Sequence, residues 1–512
     1  MKESSSTSEQ RSTEKNPPLH RAWILLALMV TMMLAAMDTT IISTAIPQIV
    51  EDLGGFAYFS WVYSIYLLAQ TVTIPIYGKL ADLYGRKPVL LFGTSLFLVG
   101  SAACASAWNM ASLIAFRGLQ GLGAGSILAT VNTLAGDIFT VEERAKIQGW
   151  LSSVWGMAAI LGPSLGGAFV EYASWQWIFL INLPIGIVSL LLIAIFLHES
   201  FEKRTHTIDY AGAFFILVTG VLLLVSLMQI GNAWPLFSYQ SMGLIFALVV
   251  LFLLTLRIES GASEPIMPTW VWKNKTLIAA NLAMVCMGII MIGPNMYIPI
   301  FSQSVLRLDA IASGFVLASM SLGWPLASSL SGKLYLKIDF RNTAMIGTVL
   351  IFAASGGFLL LPFDAPAWLL IFDQALMGAG FGLLSTPTLV GVQSIVSWSE
   401  RGVVTGANMF SRYLGQSIGA AILGGFFNSA MRRELAISPT SLQEQLPHKI
   451  NDVVGVLKNS SSTQAVTDYL RHAFYLASHH VFSVMAFVAV LIFLFLCLMP
   501  RKLKIVAAAQ GS

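Results

Sequence analysis

The sequence predicts an all-α integral membrane protein: two pseudo-symmetric six-helix bundles with two further helices inserted between them, fourteen spans in all. Three observations carry this. Hydrophobic residues make up 56% of the chain and charged residues only 11%, whereas a soluble domain carries about 25% charged residues. Apolar windows of about 20 residues, the length that crosses a bilayer core of about 30 Å, recur along the chain. A nearly fixed internal offset relates its first part to its last.

The windows fall at about 22–46, 57–77, 88–107, 110–134, 147–170, 177–197, 210–230, 241–258, 277–301, 311–330, 342–362, 367–391, 404–427 and 479–499. In lipid each must close its backbone hydrogen bonds internally, and so is a helix. Residues 1–21 are polar, and no small-residue cleavage site follows the first apolar run. They read as a disordered cytoplasmic tail, not a signal peptide. An even number of spans puts both termini on one side. That side collects Lys79, Arg86, Lys87, Arg144, Lys146, Lys203, Arg204, Lys273, Lys275, Lys333, Lys337, Arg341, Arg501, Lys502 and Lys504, against Arg307 in the short opposite loops. The positive-inside rule therefore predicts cytoplasmic termini. The long outside loop, about 428–478, is basic too, but long loops cross largely regardless of charge. The expected units are 22–200 for the first bundle, 201–276 for the inserted helices and linkers, 277–500 for the second bundle, and 501–512 for a cytoplasmic tail.

Helix 1 carries Asp38 about two-thirds of the way along. A carboxylate at that depth costs several kcal/mol unless it is paired, protonated or facing water. That is the profile of a proton or cation site; the plainer reading is a partner that holds two helices together. Between helices 2 and 3 runs Gly78-Lys-Leu-Ala-Asp82-Leu-Tyr-Gly85-Arg86-Lys87-Pro88. Its glycines allow a positive φ or close helix approach, and Pro88 suits the first turn of a helix. Gly78, Asp82, Gly85 and Arg86, with Asp137 and Arg144 beyond helix 4, form a candidate cytoplasmic gate between the bundles.

Helix 4 carries Arg117 about seven residues, roughly 10 Å, below its outer edge. Asp38 lies at a similar depth because helix 1 runs the opposite way, so the two are expected to face each other or share a water network. The alternative is that Arg117 snorkels to the surface. In helix 5, Leu161-Gly162-Pro163-Ser-Leu-Gly166-Gly167 cuts a groove for close helix packing. Pro163 bends the helix, which suggests a pliable seam between bundles. Trp175 and Trp177, before helix 6, read as an interfacial belt, so the run from Trp175 through Asn182 to Gly186 is assigned structure rather than chemistry.

A shift of 257 residues superposes Gly121, Gly123 and Gly125 on Gly378, Gly380 and Gly382, and Glu143-Arg144 on Glu400-Arg401. A shift of 254 carries Gly78-Lys-Leu onto Gly332-Lys-Leu, with Asp339 and Arg341 beyond it keeping the charges of the first turn but not their spacing. Parallel repeats place a substrate path at their interface. In the second bundle, Asp373 is either a second acidic site or an interfacial residue. Arg412 either pairs across the interface, meets a substrate carboxylate or reaches the cytoplasmic surface.

Other chemistry is not indicated. Cys104, Cys286 and Cys497 lie in apolar runs, and the histidines lie near loops or helix ends, without a metal spacing. A phosphate-cradling GxxxxGK[ST] is lacking, so direct drive by ATP is not expected. No cofactor, metal or enzymatic activity is called for, and the net charge of +4 does not imply nucleic acid.

The Gly78–Pro88 turn resembles the signature GxLaDrxGrkxxl between the second and third helices of the major facilitator superfamily. The stretch from Met37 through Asp38-Thr39 to Pro47 resembles the LDxTIVNVALP signature of the fourteen-helix drug:proton antiporters, with Ser43 and Thr44 in place of Val-Asn. Arg117-Gly-Leu-Gln120-Gly121-Leu-Gly123-Ala-Gly125 is similar to the helix-4 signature whose arginine is tied to proton coupling. The helix-5 run resembles the antiporter signature gxxxGPxxGG, with Ala158 replacing its first glycine. Over essentially the whole chain the resemblance is to the branch that includes the Bacillus multidrug-resistance exporters. It implies a major facilitator fold and efflux of lipophilic, often cationic drugs in exchange for protons by alternating access. It also implies a monomer in a bacterial cytoplasmic membrane, with Asp38 and Arg117, which fall within its signatures, as coupling residues; Asp373 and Arg412 join them as coupling or substrate candidates by their position alone. The alternatives are a proton-coupled exporter of one metabolite or antibiotic, and a non-transporting membrane sensor.

Overall fold

A computed structural model describes residues 18–54, 59–199, 209–229, 238–262, 264–308, 310–439, 442, 445–446 and 463–503. The expected tails at 1–17 and 504–512, and most of the expected outside loop between 440 and 462, lie outside the described residues. So do the side chains of Ser43, Thr44 and Pro47.

The helices are α1 Pro18–Leu53, α2 Phe59–Tyr84, α3 Arg86–Ala105, α4 Met110–Ile138 and α5 Val141–Tyr172. Next comes α6, which runs Trp177–Leu180 and resumes after Ile181 as Asn182–Phe196. Then follow α7 Tyr210–Gln229, α8 Tyr239–Gly261 and α9 Lys275–Ser304. The stretch Ala310–Leu359 is broken at Asp339 into α10 (310–338) and α11 (340–359). Last are α12 Ala367–Ser394, α13 Arg401–Ala436 and α14 Gln464–Cys497. Local chemistry sets several starts. Asn109 accepts the amide of Ser112 at 2.8 Å to begin α4, and Thr140 with Glu143 closes a capping box on α5, satisfying donors that the first turn leaves open.

Eleven stretches among the described residues are long and apolar enough to cross a membrane, with α10 and α11 counted as one. The long helices outside that set are α2 and α13, and they pack on each other. Their polar faces are spent on the seam between bundles instead of on lipid.

Two large apolar cores flank this seam. One is built from α1 to α6, joined by Met409 and Tyr413 of α13; the other comes from α9 to α14. The bundles meet along α2 with α13 and along α5 with α10. Helices α7 and α8 pair with each other, and Leu224 of α7 packs with Leu68 and Val72 of α2 beside Leu414 of α13.

Three expectations need revision. The end helices are longer than their apolar windows: α13 continues to Ala436 and α14 begins at Gln464. Helix therefore fills both flanks of the expected outside loop, because buried Leu470 and Phe474 give α14 an apolar stripe that a hydropathy window averages away. Next, Gly162 does not form the seam between bundles. It packs against α1 of its own bundle, where a Cβ would fall 2.8 Å from that of Thr40, and Thr40 donates to the Ala158 carbonyl at 2.9 Å. The cross-bundle approach on α5 falls at Gly149 and Gly156, against Ser329 and Ser321 of α10. Finally, Asp339 does not repeat Asp82. With φ 72° and ψ 159° it occupies the place of Gly85, at φ 93° and ψ 156°, and the offset of 254 then sets Leu336 on Asp82 and Phe340 on Arg86. The second turn is apolar at its centre: Phe340 is buried and stacks on Tyr335 at 4.6 Å.

Candidate functional site

Asp38 is 1% exposed and Arg117 is fully buried. Five helices of the first bundle converge on this pair. Arg117 of α4 donates from Nη1 to Asp38 Oδ2 at 2.5 Å and to Gln120 Oε1 at 2.7 Å. Its Nε donates to the Val62 carbonyl of α2 at 3.1 Å, and the guanidinium lies 4.1 Å above the Tyr66 ring. The other carboxylate oxygen accepts from Gln120 Nε2 at 2.8 Å and from Asn182 Nδ2 of α6 at 3.4 Å. Ser101 of α3 accepts from both amides, at 3.2 and 3.0 Å, and donates to the Phe179 carbonyl. Burying a lone charge here would be prohibitive; an ion pair with its remaining lone pairs satisfied is tolerated.

The sequence brought Asp38 to Arg117 by depth alone but gave no role to Gln120, Ser101, Asn182 or Tyr66. Asn182 belongs to the run assigned to structure, yet its Nδ2 donates to the Asp38 carboxylate. The shared depth of Gln120, one turn beyond Arg117, was the available signal.

The second bundle has no matching charge pair at these positions. The offset of 257 sets Asn295 on Asp38 and Gln374 on Arg117, and Asn295 donates to its own helix at the Met291 carbonyl. Asp373 is 6% exposed, accepts from Gln374 Nε2 at 2.9 Å and points toward Gly357 of α11, within its own bundle.

At the end of the molecule where α2 turns into α3, the bundles are locked together. Gly78 packs on the backbone of Gly402, where a Cβ would strike the carbonyl. Asp82 accepts from Arg86 Nη2 and from the amides of Gly402 and Val403, each at 2.9 Å. A carboxylate of one bundle thus caps the first turn of α13 in the other, where the amides are free and the dipole favours an anion. Arg86 donates to the Trp398 carbonyl at 2.6 Å and stacks on that indole at 3.5 Å. Asp137 bridges Arg86 at 2.8 Å and Arg401 at 3.0 Å. Arg144 donates to the carbonyls of Phe139 and Gly136 and to Ser394 at 3.4 Å. Gln393 donates to the Asn132 carbonyl at 3.1 Å, and Tyr335 to that of Val141. Arg401 and Trp398 were not nominated from sequence, although the repeat had already laid Arg401 on Arg144.

Above this lock a cavity opens between the bundles, lined by Asn132 and Gln148 on one side and by Trp324, Ser385, Asn408 and Arg412 on the other.

A family profile described as Major Facilitator Superfamily matches residues 28–420. The chain is 35% identical to Multidrug transporter protein MdtP of Bacillus subtilis strain 168 over 447 residues, covering 86% of this chain and 82% of that protein. It is also 35% identical to Multidrug resistance protein 3 of the same organism over 465 residues, covering 90% and 85%. It is 32% identical to Efflux pump FUS6 of Gibberella fujikuroi, covering 80% and 76%. Among solved structures, the human organic anion transporter MFSD10 superposes with a TM-score of 0.63 over 94% of this chain and 100% of that one. At 15% identity that likeness speaks for the fold.

Proposed function

Because the chain belongs to the Major Facilitator Superfamily, we propose that it is a multidrug efflux transporter, exporting lipophilic drugs across a bacterial cytoplasmic membrane in exchange for protons. Identities of 35% to two Bacillus multidrug proteins over most of both chains support the drug class. The single observation that carries proton coupling is the buried Asp38–Arg117 pair, one carboxylate held by a guanidinium and two amides from other helices. Protonation of Asp38 removes its negative charge, leaves Arg117 held by the Val62 carbonyl and the Tyr66 ring it already contacts, and loosens the contact of α1 with α4 and α6. Deprotonation restores it. The charge state of one side chain thereby biases how α1 sits in its bundle, which is what a rocking transporter needs.

With its termini in the cytoplasm, the molecule is closed on that side: the Asp82, Arg86, Asp137 and Arg401 lock joins the bundles there. Asp373 and Arg412 then have separate parts. Asp373 supports its own bundle, and Arg412 faces the path between bundles.

Dye efflux in inverted vesicles under an imposed proton gradient tests the reading. Asp38→Asn is expected to abolish gradient-driven uptake into the vesicles while leaving drug binding measurable; gradient-driven transport that survives the substitution would refute the proton site.

A further inference from the structure

Resting on the efflux reading, we infer that the cavity between the bundles selects substrates that carry an anionic group, a carboxylate above all, and that Arg412 is the residue that receives it.

The cavity holds one formally charged side chain, Arg412; its other lining groups are amides, hydroxyls and apolar side chains, with no carboxylate among them. Arg412 has no acidic partner among the described residues, in contrast to Arg86, Arg117 and Arg401, each paired at 3.0 Å or less. Its Nε is buried without an acceptor, and so is the Nδ2 of Asn408, one turn earlier on the same face of α13. Two unmet donors one turn apart, one of them cationic, line the same space. Buried donors of this kind are costly until an acceptor arrives, and a guanidinium meets a carboxylate in a planar, two-pronged fit. The amides of Asn132 and Gln148 oppose them at 3.3 Å from each other, so the wall across from Arg412 is polar but uncharged. Trp324 and Met409 supply apolar surface for an aromatic body. A purely cationic drug would be seated beside a guanidinium that no carboxylate among the described residues balances. A carboxylate-bearing aromatic amphiphile brings an acceptor for the guanidinium and an apolar body for Trp324 and Met409.

Arg412 sits beside a residue that reaches into the first bundle. Its guanidinium lies 5.1 Å from the Tyr413 ring, and Tyr413 packs into the core of the first bundle, where Tyr66 underlies Arg117.

The test uses a matched pair, norfloxacin and its methyl ester, with the cation rhodamine 6G as a third probe, in proteoliposomes of the full-length protein under a proton gradient. The wild type is expected to half-saturate with the acid at a concentration lower than with the ester by about tenfold or more. Arg412→Gln should collapse that acid-to-ester ratio by about tenfold, and Arg412→Lys should fall between the two, because it keeps the charge but loses the two-pronged fit. Should Arg412→Gln prove inactive in transport, equilibrium dialysis of the two compounds against the purified variant reads the same ratio. Equal treatment of acid and ester by the wild type, or a ratio unchanged in Arg412→Gln, overturns the inference while rhodamine 6G transport leaves efflux standing. Failure of the wild type to move any of the three probes sinks the efflux reading itself.

Discussion

Asp82→Asn should open the locked end of the molecule. In the closed arrangement the Asp82 carboxylate accepts three hydrogen bonds, from Arg86 Nη2 and from the amides of Gly402 and Val403, each at 2.9 Å. Two of the three cross between bundles, so they exist only while that end is shut. An asparagine keeps one acceptor oxygen, loses the charge, and turns an NH₂ toward either a guanidinium or an amide, a donor facing a donor. Losing one hydrogen bond to a charged group is worth about 1.5–3 kcal/mol, and losing the anion at the α13 N-terminus adds about 0.3–1 kcal/mol. Arg86 retains Asp137 and the Trp398 carbonyl, which limits the damage, so a shift of about 2–3 kcal/mol, roughly 30- to 150-fold in the closed-to-open ratio, is expected. The reporter is Met409→Cys in a background with Cys104, Cys286 and Cys497 replaced by serine. Met409 is 4% exposed and crosses into the first bundle's core, so a membrane-impermeant maleimide reaches it only when the lock opens. Labelling in inverted vesicles should accelerate by about the same factor. Unchanged labelling in both Asp82→Asn and Asp82→Ala would refute the claim that this carboxylate holds the bundles together.

Three further outcomes follow from the geometry. Gly162→Leu should lower the thermal midpoint, since its side chain must displace Thr40 and break the bond to the Ala158 carbonyl, at a cost of about 1–3 kcal/mol; a midpoint equal to wild type counts against the close α1–α5 packing. Tyr66→Phe should be nearly neutral in stability, because the hydroxyl has no partner among the described residues, whereas Tyr66→Ala removes the ring beneath Arg117 and costs about 2 kcal/mol or more; equal effects of the two would contradict the ring's role. Asp339→Gly should stabilise the protein by about 1 kcal/mol or more, because φ 72° with ψ 159° is a region in which glycine alone is unstrained; thermal unfolding in detergent reads it, and a lower midpoint would show that the aspartate side chain has a task there.

Much of the site was legible where an energetic penalty stood out in the sequence. Asp38 and Arg117 are charges in apolar helices, and the rise per residue by itself sets them at one depth. Gln120, Asn182 and Ser101 raise no such alarm, because an uncharged polar side chain in a membrane helix has many cheap ways to be satisfied, from its own backbone outward. The repeat was legible in its glycines, yet the turn between α10 and α11 was misread by matching charge to charge. The backbone requirement, a positive φ at one position, is what the two turns share, and Asp339 meets it in place of a glycine. The lengths of α13 and α14 were hidden because hydropathy windows see the bilayer and not the amphipathic helix that projects past it.

The α7–α8 pair gives the two seams of the molecule different neighbours. Along the α2–α13 seam, α7 lies against both bundles through apolar contacts at Leu68, Val72, Leu224 and Leu414. It covers that edge with apolar side chains where acyl chains would otherwise lie. The α5–α10 seam has no comparable cover among the described helices. Bilayer composition is therefore expected to act from one flank: lipids that wedge or stiffen the membrane should change transport through the α5–α10 edge, where no α7–α8 pair stands between bundles and lipid.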